Sequence, residues 1–251
     1  MTEKFKTIFI SDTHLGSRGC KSKYLLEFLK NTEADTYYLV GDIIDGWRIK
    51  SKFFWPQEHS DIIRRILKIA RTKKIIWILG NHDEFLRPYL EYNLSFGNID
   101  ITNESEFVSV NGNKYWVVHG DNFDGVVKYS KWLSVLGDHA YVSIIWMNNH
   151  FNYIRNWFGL PYWSLSKYLK SVTKRALQFM DDYARVVSID TKEKGFQGVI
   201  CGHIHNPVDQ YYDTIHYLNT GDWVENCTYL VETLDGNLEL RKYAEISHGA
   251  K

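Results

Sequence analysis

The period of the hydrophobic positions changes along the chain. Thr7–Ile10, Tyr37–Val40 and Ile75–Leu79 are short, almost unbroken apolar runs, the pattern of buried strands. Between them the spacing becomes helical. Tyr24, Leu25, Phe28 and Leu29 share one face of Lys23–Lys30, and Ile62, Ile63, Ile66, Leu67 and Ala70 share one face of Ser60–Ala70. A β-α-β-α-β order predicts parallel strands joined by right-handed crossovers. In such sheets ligands gather at the carboxyl ends of the strands.

Beyond Ile99 the pattern is that of hairpins. Glu106–Val110 and Lys114–His119 flank Asn111-Gly112-Asn113, a turn signal. Gly198–Cys201, Thr214–Leu218, Thr228–Thr233 and Leu238–Tyr243 read as further strands, the last two joined through Asp235-Gly236-Asn237. The expected fold class is α/β, with two packed β-sheets flanked by helices. Residues 124–195 break the strand pattern and read as mostly helical. They are expected to form a helical cap inserted in one domain that spans residues 1–251.

Composition narrows the partners. The 251 residues carry 30 Lys and Arg against 30 Asp and Glu, so no whole-protein field favours nucleic acid, and no nucleic-acid partner is expected. No apolar run reaches the roughly 18 residues of a membrane span. Met1-Thr2-Glu3-Lys4-Phe5-Lys6 runs directly into a strand, so no secretory leader is expected. Cys20, Cys201 and Cys227 lack metal-finger spacing and read as reduced thiols of a cytoplasmic protein. The charge is unevenly spread, however. From His139 to Met180 there is no Asp or Glu, while Arg155, Lys167, Lys170, Lys174 and Arg175 fall there, with Trp146, Trp157 and Trp163 inside the stretch and Trp132 just before it.

The candidate chemistry lies where strands end. Asp12-Thr13-His14, Gly41-Asp42, Gly80-Asn81-His82-Asp83, His119-Gly120-Asp121 and Gly202-His203-Ile204-His205 each follow a strand-like run. Taken singly, Asp12 or Asp42 reads equally well as a helix N-cap, Asn81 as a turn residue, and a lone histidine as structural. Together they supply carboxylate, imidazole and amide donors in the mixture that a two-cation phosphoesterase site needs. Two divalent ions about 3.5–4 Å apart lower the pKa of an attacking water and relieve charge on the phosphoryl oxygens. Such a site needs no thiolate, and strand alternation turns Cys201 away from it. Mixed N and O ligation suits Mn, Fe or Zn better than Ca. His59, His139, His150, His216 and His248 fit no block and read as structural.

On these blocks the chain resembles the calcineurin-like metallophosphoesterase superfamily. The resemblance implies that Asp12, His14 and His205 hold one metal, that Asn81, His119 and His203 hold the other, and that Asp42 bridges them. It implies Mn as the metal. It also implies that His82 stays off the metals beside the scissile phosphate, as general acid or charge stabiliser, with Asp83 orienting its ring. Gly41-Asp42-Ile43-Ile44-Asp45-Gly46-Trp47, His119-Gly120-Asp121-Asn122-Phe123-Asp124 and Asn219-Thr220-Gly221-Asp222-Trp223 are similar to the branch of UDP-2,3-diacylglucosamine diphosphatases of lipid A synthesis. That branch releases UMP and 2,3-diacylglucosamine 1-phosphate, peripherally on the cytoplasmic face of the inner membrane. By this likeness Asn81, His82 and Asp121 contact substrate, as do Lys167, Lys170 and Lys174, which helical spacing allows on one face.

One position departs from that branch: His82 stands where its well-known members have Arg, and a permanently charged fork is replaced by a ring that can transfer a proton. The basic aromatic stretch admits three readings: an ordinary helical insertion, a lid over a phosphorylated or nucleotide-linked lipid at a membrane surface, or a nucleic-acid surface. The expected activity is hydrolysis of a lipid-linked pyrophosphate. A soluble phosphodiesterase or nuclease with the same metals is the alternative, and a non-catalytic scaffold is a remote third. No obligate protein partner is expected.

Overall fold

The computed structural model describes residues 2–92, 95, 97–124 and 165–243, and for 165–176 the description stops at the backbone. Two compact units result: Met1–Asp121 with Val187–Lys251, and Asn122–Val186. Trp132, Trp146, Trp157, Trp163, Arg155, His139, His150 and His248 lie outside the described residues. The second unit overlaps the expected insertion but ends earlier than residue 195.

The first unit holds two sheets. In the first, order β11-β10-β1-β2-β3-β4, β1 (Glu3–Ile10), β2 (Thr32–Val40), β3 (Lys74–Ile78) and β4 (Ile99–Thr102) are parallel. β10 (Thr228–Glu232) pairs antiparallel with β1, and β11 (Leu238–Lys242) pairs antiparallel with β10 at the edge. The second sheet has order β5-β6-β7-β9-β8. Its strands are β5 (Glu104–Val108), β6 (Lys114–Val118), β7 (Gly198–Cys201), β8 (Val208–Tyr212) and β9 (Ile215–Asn219). Here β6, β7 and β9 run parallel, with β5 and β8 antiparallel at the edges.

Alternation along β1 divides the core. Ile8 and Ile10 face α1 (Ser22–Asn31) and α3 (Gln57–Ala70), packing with Leu25, Phe28, Leu29, Ile62 and Ile66. Phe9 points the other way, into the layer between the sheets, among Tyr38, Val40, Ile78, Tyr115, Val117, Ile200 and Leu218. It stacks on Tyr38 at 4.8 Å and meets Phe107 edge-on at 5.0 Å. Truncating so buried a ring to alanine costs about 3–5 kcal/mol. The two-period strand and the 3.6-period helices thus generate a layered fold of two sheets flanked by helices, as the hydrophobic pattern predicts.

The remaining elements are short, except one. α2 (Gly46–Ser51) and a 3-10 segment, Glu84–Tyr92, follow the ends of β2 and β3. A single 3-10 turn, Asp121–Phe123, follows β6. The long α4 (Leu165–Glu193) leads back to β7, and its last turns, with Val187 and Thr191 buried, belong to the first unit. Lys167, Lys170 and Lys174 fall on the backbone-only part of α4, so their expected substrate contacts lie outside the described side chains.

Candidate metal centre

The five sequence blocks converge at the carboxyl ends of β1, β2, β3, β6 and β7. The chain leaves these strands in an unusual conformation. Asp12, His14, Asp42, His203 and His205 all take positive φ, between 48° and 69°. Asp and His tolerate this left-handed region better than most residues, at about 1–3 kcal/mol each. The cost is borne because the loops brace one another: Asp12 N donates to Gly41 O at 3.0 Å and His14 N to Asp42 O at 3.0 Å. Glycine precedes the ligands for want of space. A Cβ on Gly41 would strike the His119 ring, and one on Gly80 would strike the Asp42 carboxylate.

Three groups of donors result. Asp12, His14 and His205 form the first, Asp42, His119 and His203 the second, and His14, Asp45 and His82 a third that shares His14 with the first. In the first, His205 Nε2 is 3.2 Å from Asp12 Oδ1 and 3.3 Å from His14 Nε2. In the second, His119 Nε2 is 3.4 Å from Asp42 Oδ2. That same oxygen is 3.9 Å from His14 Nε2, so Asp42 lies between these two groups as a bridging carboxylate would. His203 N donates to Asp12 Oδ2 at 3.0 Å, which ties the second sheet to the first at this rim.

The hydrogen-bond account is what fits these residues to cations. Asp12 Oδ1, Asn81 Oδ1 and His119 Nε2 are buried and have no hydrogen-bond partner. Leaving one buried polar atom unpaired costs about 1–3 kcal/mol, and here three gather among predicted ligands. His119 Nδ1 is directed to Val40 O at 3.0 Å, which aims Nε2 inward. Burial pulls His119 and His205 down, but nearby Asp42 and Asp12 outweigh it and push them up to about 10 and about 9. Burial likewise raises Asp12 and Asp42, yet His205 and His119 hold both below the usual carboxylate range. The negative charge that favours the protonated form of these buried imidazoles would also favour a divalent cation in place of those protons. Cys201 takes no part. Its thiol donates to Leu218 O at 3.6 Å, and burial pushes its pKa up to about 12.

His82 stands beside these groups, with Nε2 3.8 Å from Asp42 Oδ2. The expectation that Asp83 orients its ring is corrected. His82 Nδ1 pairs with Asp45 Oδ1 at 2.8 Å, and the other Asp45 oxygen is 3.5 Å from His14 Nδ1. Asp83 is fully buried and turned away, accepting from Ile43 N at 3.1 Å and Ile44 N at 2.9 Å, so it fastens the loop after β2. Burial first, then the charge of Asp42, pushes Asp83 up to about 6. Successive residues of a tight turn point in different directions, so the carboxylate adjacent in sequence is not the one adjacent in space. Asp45 is the residue of this cluster that the sequence did not single out, although Asp42-x-x-Asp45 was a visible signal. It also accepts from Arg48 N at 2.9 Å as the N-cap of α2. For His82 itself, burial lowers the pKa, but the Asp45 hydrogen bond and the charge of Asp42 leave it above its ordinary value.

Asp121, expected as a substrate contact, accepts from Arg87 Nη2 at 2.6 Å. The exposed Arg18 lies 4.5 Å over the Phe54 ring. His59 is structural, as expected: Gly16 N donates to its Nδ1 at 3.0 Å, and burial lowers its pKa.

A layered fold with a two-cation donor set at the strand ends defines a metallophosphoesterase. The calcineurin-like phosphoesterase family matches residues 5–207, and the chain belongs to that family. Its members use divalent metals. The chain is 29% identical over 154 residues to the DNA polymerase II small subunit of Methanothermobacter thermautotrophicus, a match that spans 48% of this chain and 31% of that protein. Among solved structures, the hypothetical protein PH1004 from Pyrococcus horikoshii OT3 has a similar fold. It is 13% identical, with a TM-score of 0.50, over 96% of this chain and 88% of that one. The phosphoesterase Yfce from E. coli is 14% identical, with a TM-score of 0.43, over 94% and 98% of the two chains.

Proposed function

We propose that the protein is a metal-dependent phosphoesterase that hydrolyses a lipid-linked pyrophosphate, with UDP-2,3-diacylglucosamine or a related glycolipid as substrate. The observation that carries the chemistry is the convergence of three buried, unpartnered polar atoms, on Asp12, Asn81 and His119, with Asp42 between two donor groups. Asp12, His14, His205 and Asp42 would hold one divalent ion, and Asp42, Asn81, His119 and His203 the other. Mn is favoured by family resemblance, and Fe and Zn suit the same donors. When bound, the pair would lower the pKa of an attacking water and withdraw charge from the phosphoryl oxygens.

The chain's own residues supply the rest. His82 Nε2 faces the centre and donates a proton to the departing oxygen, while Nδ1 remains on Asp45. Asp45 holds the ring in one orientation and, through His14, couples it to the first donor group. Trp47 lies against His82, with ring centroids 4.2 Å apart, and its Nε1 donates to Glu84 at 2.7 Å. This contact limits rotation of the imidazole.

The lipid substrate rests on the branch-like motifs and on the acid-free, basic, aromatic composition from His139 to Met180. On this reading the enzyme meets its substrate peripherally at a membrane surface, on the cytoplasmic side of the inner membrane. No helix among the described residues is long and apolar enough to cross a membrane. A second reading, a soluble phosphodiesterase or nuclease, is favoured by His82, whose proton suits many leaving groups, and by the DNA polymerase subunit among its relatives. Hydrolysis of UDP-2,3-diacylglucosamine by Mn-loaded protein, beside bis-p-nitrophenyl phosphate, separates the two. Release of UMP supports the lipid reading, and cleavage of the small diester alone overturns it in favour of the second.

A further inference from the structure

Arg87 brings to the rim a cation that the metal-ligand pattern leaves unexplained. It lies on the 3-10 segment that follows His82, and its Nη2 is bound by Asp121, which follows His119. Both anchors therefore descend from residues of the metal centre. One third of the Arg87 side chain is exposed, while Asp121 is nearly buried, at 11%. Arg87 Nε is buried and has no hydrogen-bond partner, and Nη1 makes no hydrogen bond with a described residue.

A surface ion pair that merely joined the two loops would need one N–H and no planar fork. Here, among the described residues, most of the guanidinium's donors are unspent, and one is desolvated without an acceptor, which is unfavourable until an acceptor arrives. The Asp121 carboxylate would itself repel a phosphoryl group. Through one short hydrogen bond to Nη2 it instead anchors the guanidinium beside the strand ends, leaving the remaining N–H groups in a planar fork that phosphoryl oxygens match.

We infer that Arg87, oriented by Asp121, binds the non-bridging oxygens of a second phosphoryl group beside the one that is cleaved, and so selects pyrophosphate diesters over simple phosphodiesters. This rests on the phosphoesterase reading and names the residue of the same site that would select its substrate class. Asp121 is then a positioning residue, and Arg87 the one that touches substrate.

The test is calorimetric titration of the Mn-loaded full chain with inorganic pyrophosphate and with inorganic phosphate, at fixed free Mn. Wild type should prefer pyrophosphate. Arg87→Gln should shrink that preference by about 10–100-fold, the effect of one charge-assisted hydrogen-bonding group, with Arg87→Lys restoring part of it and bound metal unchanged. Asp121→Asn should fall between. A preference kept by Arg87→Gln, lost only together with bound metal, or missing in wild type overturns the assignment. Hydrolysis of bis-p-nitrophenyl phosphate by the same wild-type preparation reports on the phosphoesterase reading separately, so the two failures are distinguishable.

Discussion

His119, at the end of β6, and His216, inside β9, are both buried, yet their ring nitrogens are treated in opposite ways. His216 accepts from the Tyr115 hydroxyl on Nδ1 at 3.0 Å, pairs with Asp209 through Nε2 at 2.8 Å, and is stacked by Tyr211 at 4.4 Å. Its backbone is ordinary strand, and its hydrogen-bonding capacity is exhausted. His119 has one nitrogen on a backbone carbonyl and the other 3.4 Å from the Asp42 carboxylate without completing a hydrogen bond, in a cluster where five neighbours hold left-handed backbone. The difference distinguishes a histidine that completes a core from one that awaits a ligand. Burial alone does not, because both are buried. What separates them is whether every polar atom has a partner and whether the residues gathered around the ring hold left-handed backbone.

That contrast can be broken by substitution on either side. The largest effect is expected at Asp42, because it serves the first two donor groups: Asp42→Ala should abolish hydrolysis and bound metal together, read by turnover and by metal analysis. If metal were retained at full stoichiometry, Asp42 would not be the bridge. Next comes His82→Ala, which should lower turnover by about 10²–10⁴-fold with metal content intact. Equal metal loss in both variants would erase the distinction between ligand and acid.

A smaller effect is expected at Asp45, which touches the rings of His82 and His14 and caps α2 through Arg48 N. Asp45→Asn should reduce activity by about 10–100-fold. The pH profile supplies the sign. An acid must be protonated to act, so the rate falls as pH rises through the His82 pKa. Burial lowers that pKa, and Asp45 is what chiefly raises it above the ordinary value. Removing the negative charge should therefore move the alkaline limb to lower pH. An unmoved limb would assign the proton to another group. The smallest catalytic effect is expected on the satisfied side of the comparison. His216→Phe should leave turnover unchanged but strand the Tyr115 hydroxyl, costing about 1–3 kcal/mol of stability by chemical denaturation. A loss of activity there would mean that the second cluster is not purely structural.

Most of the fold was legible because its central strands are buried and its helices are amphipathic. Thr7–Ile10, Tyr37–Val40 and Ile75–Leu79 all fall within or overlap observed strands. The strands that escaped notice, β4 and β8, are both at sheet edges. β8 reads Val-Asp-Gln-Tyr-Tyr and is largely exposed, so it carries neither an apolar run nor a clean alternation. Its strand state is imposed by pairing with β9 rather than by its own pattern.

At the site, the sequence by itself determined which residues could be ligands and where they would meet. A short run ending in Asp, His or Asn places its donor at a strand's carboxyl end, and parallel strands collect such ends at one rim. Glycines before the donors were visible, though their reason, a carboxylate or ring where a Cβ would stand, was not. Only the tertiary structure decided how the second layer of contacts is wired. It turned Asp83 inward to the loop amides, gave His82 to Asp45, and set Asp121 against Arg87. The physical reason is that a ligand's direction follows from the strand that carries it, whereas its hydrogen-bond partner depends on backbone dihedrals in turns and on which distant loop is packed alongside. Those are settled by packing free energy summed over the whole fold, and no local spacing encodes them.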